Sequence, residues 1–349
     1  MFDGPMQAAP SHVSVLQIMG IEPQMVRSAS YRITAALTAG IVLAGCTTQV
    51  GRIGFDDGRD VCRVQLVQLD STGNFFGEDM VRGAAVGALS GALIGGLATG
   101  RWQGALLGAA IGGAGGAAVG YYAALQRQQG DQAGINAQIA NDLQRENAEI
   151  DRTQIAWDQL FDCRLRSAQQ IRQAVRDGRL NREVATQQLV EIRQRANGDI
   201  ALAQIISGRI ATRGAEFDGA IDAVVPGGKV GLAAVGNPQP IRLASRRNIN
   251  VVFSPQPNSP QIAQINAREV VSVRPGPPGF ARVETASGVR GFAPADAFAA
   301  PRSALEQPAA GGDVRSLAAT NISRRDTFVA SVGNAERLAQ AGGGFELTS

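Results

Sequence analysis

Histidine is almost absent from this chain of 349 residues, since His12 is the only one. Aromatic residues make up 5% of the sequence whereas glycine occurs 43 times, so a single large aromatic core is not expected. The 33 basic and 30 acidic residues nearly cancel and are interspersed, which disfavours a nucleic-acid-binding protein. The composition therefore predicts a modular protein with no nucleic-acid partner.

Residues 1–45 have the three parts of a secretory signal. Arginines precede an apolar run at residues 33–43, and small residues follow it immediately before Cys46. The signal pattern begins at Met25, and residues 1–24 have no place in it. We therefore expect translation to start at Met25.

The motif Leu43-Ala44-Gly45-Cys46 resembles the bacterial lipobox, in which the cysteine is acylated and becomes the mature N-terminus. The alternative is a transmembrane helix with an incidental cysteine, but the apolar run is too short for about 30 Å of hydrocarbon. The resemblance implies attachment to membrane lipid through Cys46. In the lipoproteins of enteric bacteria a residue other than Asp after the cysteine favours the outer membrane, so the resemblance, with Thr47 at that position, implies the periplasmic face of the outer membrane.

No catalytic residue is expected in the mature chain. Removal of residues 1–45 would also remove His12, which excludes histidine-dependent nucleophiles and imidazole zinc sites. Asp151, Asp158 and Asp162 are close in sequence, but we expect them to be surface charges of a helix rather than a catalytic pair. The sequence therefore predicts a protein that is not an enzyme and has neither metal nor cofactor.

Cys62 and Cys163 are the other two cysteines. In an oxidising compartment two remaining thiols are expected to pair, the alternative being two buried reduced side chains. A bridge would close a loop of about 100 residues and stabilise the fold by up to roughly 4.7 kcal/mol in the chain-entropy account. It would tie the lipidated segment, residues 46–79, to the helices beyond residue 124.

Glycine recurs at every fourth position in two runs within residues 80–124. In a helix such residues lie on one face, so each run would carry a groove that another backbone can approach closely. Each run covers about 16–21 residues, which as helix is close to the hydrocarbon thickness of a bilayer. We predict a membrane-associated helical hairpin packed through Gly83, Gly87, Gly91, Gly95, Gly104, Gly108, Gly112, Gly116 and Gly120.

This pattern resembles the glycine-zipper family of bacterial envelope proteins, in which paired Gly-x-x-x-Gly segments form a hairpin. The resemblance implies an association with the membrane. Two alternatives stay open: a hairpin packed in water against the protein's own helices, and self-association of several hairpins into a homo-oligomer or pore.

Residues 125–225 contain no proline, and their apolar residues recur at spacings of three and four, which is typical of amphipathic helices. Gly178 as a C-terminal cap and Asn181 as an N-terminal cap interrupt the pattern. The sequence predicts two long antiparallel helices. The Gly- and Pro-rich residues 226–240 are predicted to be a linker.

Residues 241–299 change to an alternating pattern that predicts five short strands in a small barrel. The runs Asn250-Val251-Val252, Gly279-Phe280-Ala281-Arg282-Val283 and Gly288-Val289-Arg290-Gly291-Phe292 resemble the bacterial SH3-like domain. That family binds cell-wall peptides or protein segments, which implies a ligand groove at Phe253, Phe280 and Phe292; the alternative places these aromatics in the core. Residues 300–349 are expected to be a flexible tail with one short helix at 323–341.

The predicted fold class is thus multidomain: a glycine-zipper hairpin and a long antiparallel helical hairpin, followed by an all-β SH3-like barrel. The leading hypothesis is a structural lipoprotein that links the outer membrane to peptidoglycan or to an envelope protein. A membrane-inserted pore and an accessory subunit of a cell-wall hydrolase are the two alternatives.

Overall fold

The structure is a computed structural model that describes residues 49–84, 121–122, 125–224, 228–307, 311–341 and 344–347. The chain divides into two compact units, Met1–Arg52 and Ile53–Ser349. The helices are α1 (Gln49–Ile53), α2 (Arg63–Ala84), α3 (Gln132–Arg176), α4 (Arg182–Val224), α5 (Gly228–Gly236), α6 (Arg302–Leu305) and α7 (Val314–Gln340). The strands are β1 (Ile241–Ala244), β2 (Ile249–Val252), β3 (Gln261–Ile265), β4 (Val270–Pro275), β5 (Phe280–Glu284) and β6 (Arg290–Pro294).

Helices α3 and α4 form the predicted antiparallel pair. The side chain of Asp131 caps α3 by accepting a hydrogen bond from the backbone N–H of Gly134. The chain then turns at Gly178, whose φ of 69° favours glycine. Asn181 begins α4 by accepting a hydrogen bond from the N–H of Glu183 at 2.7 Å. Asn181 is therefore confirmed as the N-terminal cap of α4, and Gly178 directly follows Asp177, the C-terminal cap of α3.

Helices α2 and α7 pack against this pair and complete a helical bundle. Its core is built from large apolar side chains of all four helices. Among them are Leu69 and Phe76 of α2, Ile150, Trp157 and Phe161 of α3, Ile200 and Ile206 of α4, and Phe328 and Val332 of α7. The burial of these residues is the main hydrophobic contribution to the fold.

The tail at residues 300–349 was predicted to be flexible with one short helix at 323–341; the helix is present as α7 but begins earlier, at Val314, and flexibility is the wrong description for it. This helix has 27 residues, and its Phe328 and Val332 are almost fully buried in the core of the bundle. Residues 226–240, predicted to be a linker, include α5, which packs on α7. At Gly236 a Cβ atom would lie 2.2 Å from the carbonyl oxygen of Ala319, so the contact with α7 requires glycine.

The strands form one antiparallel sheet in the order β1-β4-β5-β6-β2-β3. Alternate residues such as Val251, Val273 and Val283 fill the core of the sheet. Six strands are present in the described sheet where the sequence predicted five. The coarse prediction, a long helical region followed by a small β domain, is confirmed.

The β domain packs directly on the bundle. Phe253 from the end of β2 inserts beside Phe161, with the ring centroids 4.6 Å apart, and it also approaches Trp157. Arg282 of β5 donates a hydrogen bond to Oγ1 of Thr327 on α7 at 2.9 Å. The two parts of the unit therefore share one hydrophobic interface.

Candidate functional site at the base of the glycine segment

Helix α2, which leads into the glycine-rich residues, is held covalently at its start. Cys62 and Cys163 lie at bonding distance, 2.05 Å between the sulfur atoms, and their positions are separated by 101 in the sequence. This supports the predicted disulfide. The bridge joins the beginning of α2 to the middle of α3.

A buried ion cluster reinforces this attachment. The guanidinium of Arg164, next to the disulfide, is only 2% exposed and donates hydrogen bonds to the carboxylates of Asp60 and Asp199. Asp60 also accepts a hydrogen bond from the N–H of Cys62 and lies 3.5 Å from Arg195. A buried arginine needs such carboxylate partners, because an unpaired buried charge is strongly destabilising.

The pKa values of the two carboxylates in the cluster are shifted in opposite directions. Burial tends to raise the pKa of Asp60, but the hydrogen bonds and charge of Arg164 outweigh burial, so this pKa lies below its usual range. Asp199 is more deeply buried, and there burial outweighs Arg164 and raises the pKa.

Helix α2 runs parallel to α4. Asp60, just before α2, lies beside Arg195 in the first half of α4. Further along, Gly73 lies against Ile206, where an added Cβ atom would be 2.4 Å from Cδ1. Arg209 donates a hydrogen bond to the carbonyl oxygen of Gly73 at 3.5 Å. The contacts thus advance in the same direction along both helices.

The chain returns from the glycine-rich residues at Tyr121, which is fixed to the same bundle. Its hydroxyl donates a hydrogen bond to Oδ2 of Asp142 at 2.7 Å. Its ring packs edge-on against Phe217 of α4 at 5.4 Å between centroids. The guanidinium of Arg213 lies 5.9 Å from the Tyr121 ring and 5.1 Å from that of Phe217, within the range of cation–π contacts.

Both flanks of residues 85–120 therefore lie at the same end of the bundle. Ala84, the last residue of α2, is eleven positions beyond Gly73, and Phe217 is eleven positions beyond Ile206. At 1.5 Å per residue each interval is about 16 Å along its helix. Because the helices are parallel, α2 ends at about the level of Phe217, which Tyr121 contacts.

Charged groups surround the return point. Glu146 of α3 is buried, and its Oε2 lies 3.6 Å from Nε of Arg213. Burial raises the pKa of Glu146 to about 7 even though Arg213 and Arg325 act to lower it. Burial, and next the charge of Asp142, raise the pKa of Tyr121, which keeps its hydroxyl protonated as a donor.

Most of the predicted membrane residues lie outside the described part of the chain. This applies to Cys46 and to the glycines from Gly87 to Gly120, whereas Gly83 lies within α2. Phe253 and Phe292 are almost fully buried and Phe280 is half-buried. Phe253 belongs to the interface with the bundle, so the three aromatics do not form one open groove as the resemblance implied.

Two acids were wrongly expected at the surface. Asp158 and Asp162 are both buried, whereas Asp151 is partly exposed and pairs with Arg324. Asp162 accepts hydrogen bonds from the hydroxyls of Ser254 and Ser259 in the β domain. Partners as distant in sequence as Ser254 and Ser259 leave no local signal for the burial of Asp162.

Residues 82–128 match a family profile named Gly-zipper_Omp and described as a glycine zipper. The predicted glycine zipper is confirmed. The match includes the end of α2 and Tyr121, so it begins and finishes at the base described above. It associates the protein with envelope or membrane proteins.

No curated protein and no solved structure matches the chain. Among the helices of the described residues, none has both the length and the apolar character needed to span a bilayer. The same residues contain no cluster of three or more potential metal ligands of the His, Cys, Asp or Glu type.

Proposed function

We propose that the protein is a lipid-anchored envelope scaffold of the outer membrane, on its periplasmic face. Acylation at Cys46 attaches it to the lipid, and the glycine segment packs as a hairpin in or on the membrane. The helical bundle carries the β domain, of the SH3-like type, toward peptidoglycan or a partner protein. In this proposal the protein is not an enzyme and needs no cofactor.

One observation carries the proposal: the two flanks of residues 85–120 are fixed at one end of the bundle. Helix α2 packs on α4 where Gly73 meets Ile206 and ends at Ala84, and Tyr121 is held by Asp142 and Phe217. A segment with both ends at one level leaves the bundle and returns on the same side. This is the geometry that a membrane hairpin on a periplasmic base requires.

Fractionation of bacterial cells tests the membrane part. We expect the full-length protein in the outer-membrane fraction, and Cys46→Ala retained in unprocessed form with the inner membrane. Gly91→Leu combined with Gly112→Leu should weaken retention after a carbonate wash, because bulky side chains keep the two helices apart. Gly198→Leu is the matched control, since Gly198 lies in α4 with open space around it.

Two results would overturn the membrane part: recovery of the full-length protein in the soluble fraction, or unchanged fractionation of Cys46→Ala. Release of dye from liposomes by the wild type, abolished by the paired leucine substitutions, would instead favour a pore.

A further inference from the structure

A groove of about 640 Å³ lies between the outer face of α3 and strand β3. Its wall on the α3 side is formed by Arg166, Gln169, Gln170, Arg172, Gln173 and Arg176. The opposite wall is formed by residues 261–264 of β3. Among the described residues that line the groove, the charged ones are all arginines, so it presents a concave surface of one charge sign.

The basic residues of this wall follow one stretch of α3. Arg166 and Arg176 are exposed and Arg172 is half-buried between them. Burial, and next the charge of Arg176, lower the pKa of Arg172, which means that an added anion would be favourable there. The acids closest in sequence accept hydrogen bonds from other residues: Asp162 from two serines, and Asp177 from Arg179 and Gln173. Each also interacts through its charge with one arginine of the groove, Asp162 with Arg166 and Asp177 with Arg176.

Strand β3 presents its backbone edge to the groove. It is at the end of the described sheet, where it pairs with β2. Four consecutive residues of β3 line the groove, and because side chains alternate between faces, the wall is the edge of the strand rather than a face. The carbonyl oxygen of Gln261 already accepts a hydrogen bond from Nε2 of Gln169 across the groove, at 3.4 Å.

We propose that this groove binds an extended acidic segment of a partner protein, which adds as a strand to β3 while its carboxylates contact Arg166, Arg172 and Arg176. An added strand would form hydrogen bonds with the backbone N–H and C=O groups at the edge of β3, and these main-chain hydrogen bonds would provide the affinity. Arg166 and Arg176 are ten residues apart, about 15 Å along the helix. An extended peptide covers that distance with about five residues.

The pattern expected in the partner follows from this spacing. In a strand, acidic residues at alternate positions project on the same side, about 7 Å apart. Three such carboxylates span the same distance as the three arginines. The inference rests on the proposed scaffolding role only in naming the class of its partner, and it does not require attachment to a membrane.

Fluorescence anisotropy with the purified full-length protein tests the inference. The probe is a labelled peptide of eight residues that alternates glutamate and valine. One control peptide alternates lysine and valine, and a second keeps glutamate and valine but carries a methyl group on every backbone nitrogen. We expect saturable binding of the probe alone, weakened by added salt because exposed charges are screened.

The protein variants separate charge from strand pairing. The triple variant Arg166→Gln, Arg172→Gln, Arg176→Gln should weaken probe binding at least tenfold, and the single variant Arg176→Gln about threefold. Arg179→Gln, an exposed arginine outside the groove, is the control and should change binding less than twofold. Circular dichroism establishes whether each variant is folded. If the triple variant is not folded, probe binding by the single variant Arg176→Gln tests the inference.

The inference is overturned if the probe does not bind, if the arginine variants bind it as the wild type does, or if the N-methylated peptide binds equally well. The last result would mean attraction by charge without strand addition. Failure here leaves cell fractionation unaffected, so the two proposals can be told apart.

Discussion

At the scale of single residues, two carboxyl groups of α3 are buried although they can carry a charge. Asp158 and Asp162 are one helical turn apart and both lie in the interior. Asp162 is satisfied by two serine hydroxyls, whereas Asp158 accepts a hydrogen bond from Nε2 of Gln154 at 2.8 Å. Burial raises the pKa of both groups, and the charge of Asp162 raises that of Asp158 further.

Replacement of Asp158 by Asn should therefore stabilise the protein near neutral pH. A carboxyl group whose pKa is raised by folding contributes its stability below the unfolded value of 3.8 and loses it as the pH rises. The asparagine has no charge to bury, so its advantage should be small at pH 4 and reach about 1 kcal/mol at pH 7. Thermal unfolding at pH 4 and at pH 7 measures this difference in stability between the variant and the wild type.

Asp296→Asn is the matched control, because Asp296 is exposed and pairs with Arg247 at the surface. It should change stability by less than about 0.5 kcal/mol at either pH. Equal effects of the two substitutions would contradict the assignment of a buried charge at Asp158.

Tyr121 and Tyr122 provide a second test at this scale. Tyr121→Phe removes the hydroxyl that donates to Asp142 and should cost about 1 kcal/mol of unfolding free energy. Tyr122 packs against the same apolar cluster, and Tyr122→Phe should be close to neutral. Thermal unfolding compares the two variants; the same loss in both would mean that the Asp142 contact does not hold the return point.

At the scale of elements, the contact between α2 and α4 depends on one small residue. Gly73→Ala places a methyl group against the buried side chain of Ile206, and we expect a net loss of about 1–2 kcal/mol from overpacking. Gly208→Ala is the control, because Gly208 lies in α4 with open space and should gain up to about 1 kcal/mol of helix stability. Urea unfolding measures the stability of both variants. A higher unfolding free energy for Gly73→Ala would show that the helices are not in close contact.

The disulfide should matter for the attachment of α2 to α3. Replacing Cys62 and Cys163 by serine should lower the unfolding free energy by about 2–5 kcal/mol, since the bridge closes a long loop. Reduction of the wild type should change its mobility in a non-reducing gel, and Cys163→Ser should run like the reduced form. No change on reduction would exclude the bridge.

Local patterns predicted much of the architecture. The helical periodicity with Gly178 and Asn181 was sufficient for α3 and α4, because each cap acts within its own turn. For helix α7 the sequence predicted only a short helix at 323–341, since its residues are rich in alanine and serine and its order depends on burying Phe328 and Val332 against other helices. The role of Tyr121 has no local sequence signal, because its partners Asp142 and Phe217 are distant in sequence.

At the scale of the whole molecule, the β domain and the bundle are expected to unfold together. Phe253 places β-domain surface inside the core of the bundle, beside Phe161 and Trp157. An interface built on a buried aromatic couples the stability of the two parts. The domains are therefore not independent units on a flexible linker.

Phe253→Ala should lower the unfolding free energy by about 3 kcal/mol through the cavity it leaves. In a Trp102→Phe background the fluorescence of Trp157 should shift to longer wavelength, because its surroundings become wetter. Phe55→Ala, at a side chain that is 82% exposed, should change neither quantity. Unchanged Trp157 emission in the Phe253 variant would contradict the shared interface.

The disulfide also makes the chain a covalent ring with two arms. Residues 63–162, including the whole glycine segment, lie inside the ring, and the N-terminal arm with Cys46 and the C-terminal arm with the β domain lie outside it. A protease that cuts the ring once opens it without dividing the molecule. The two arms therefore stay covalently joined after such a cut, and the bridge must also be reduced before the covalent link between the β domain and the membrane anchor proposed at Cys46 is lost.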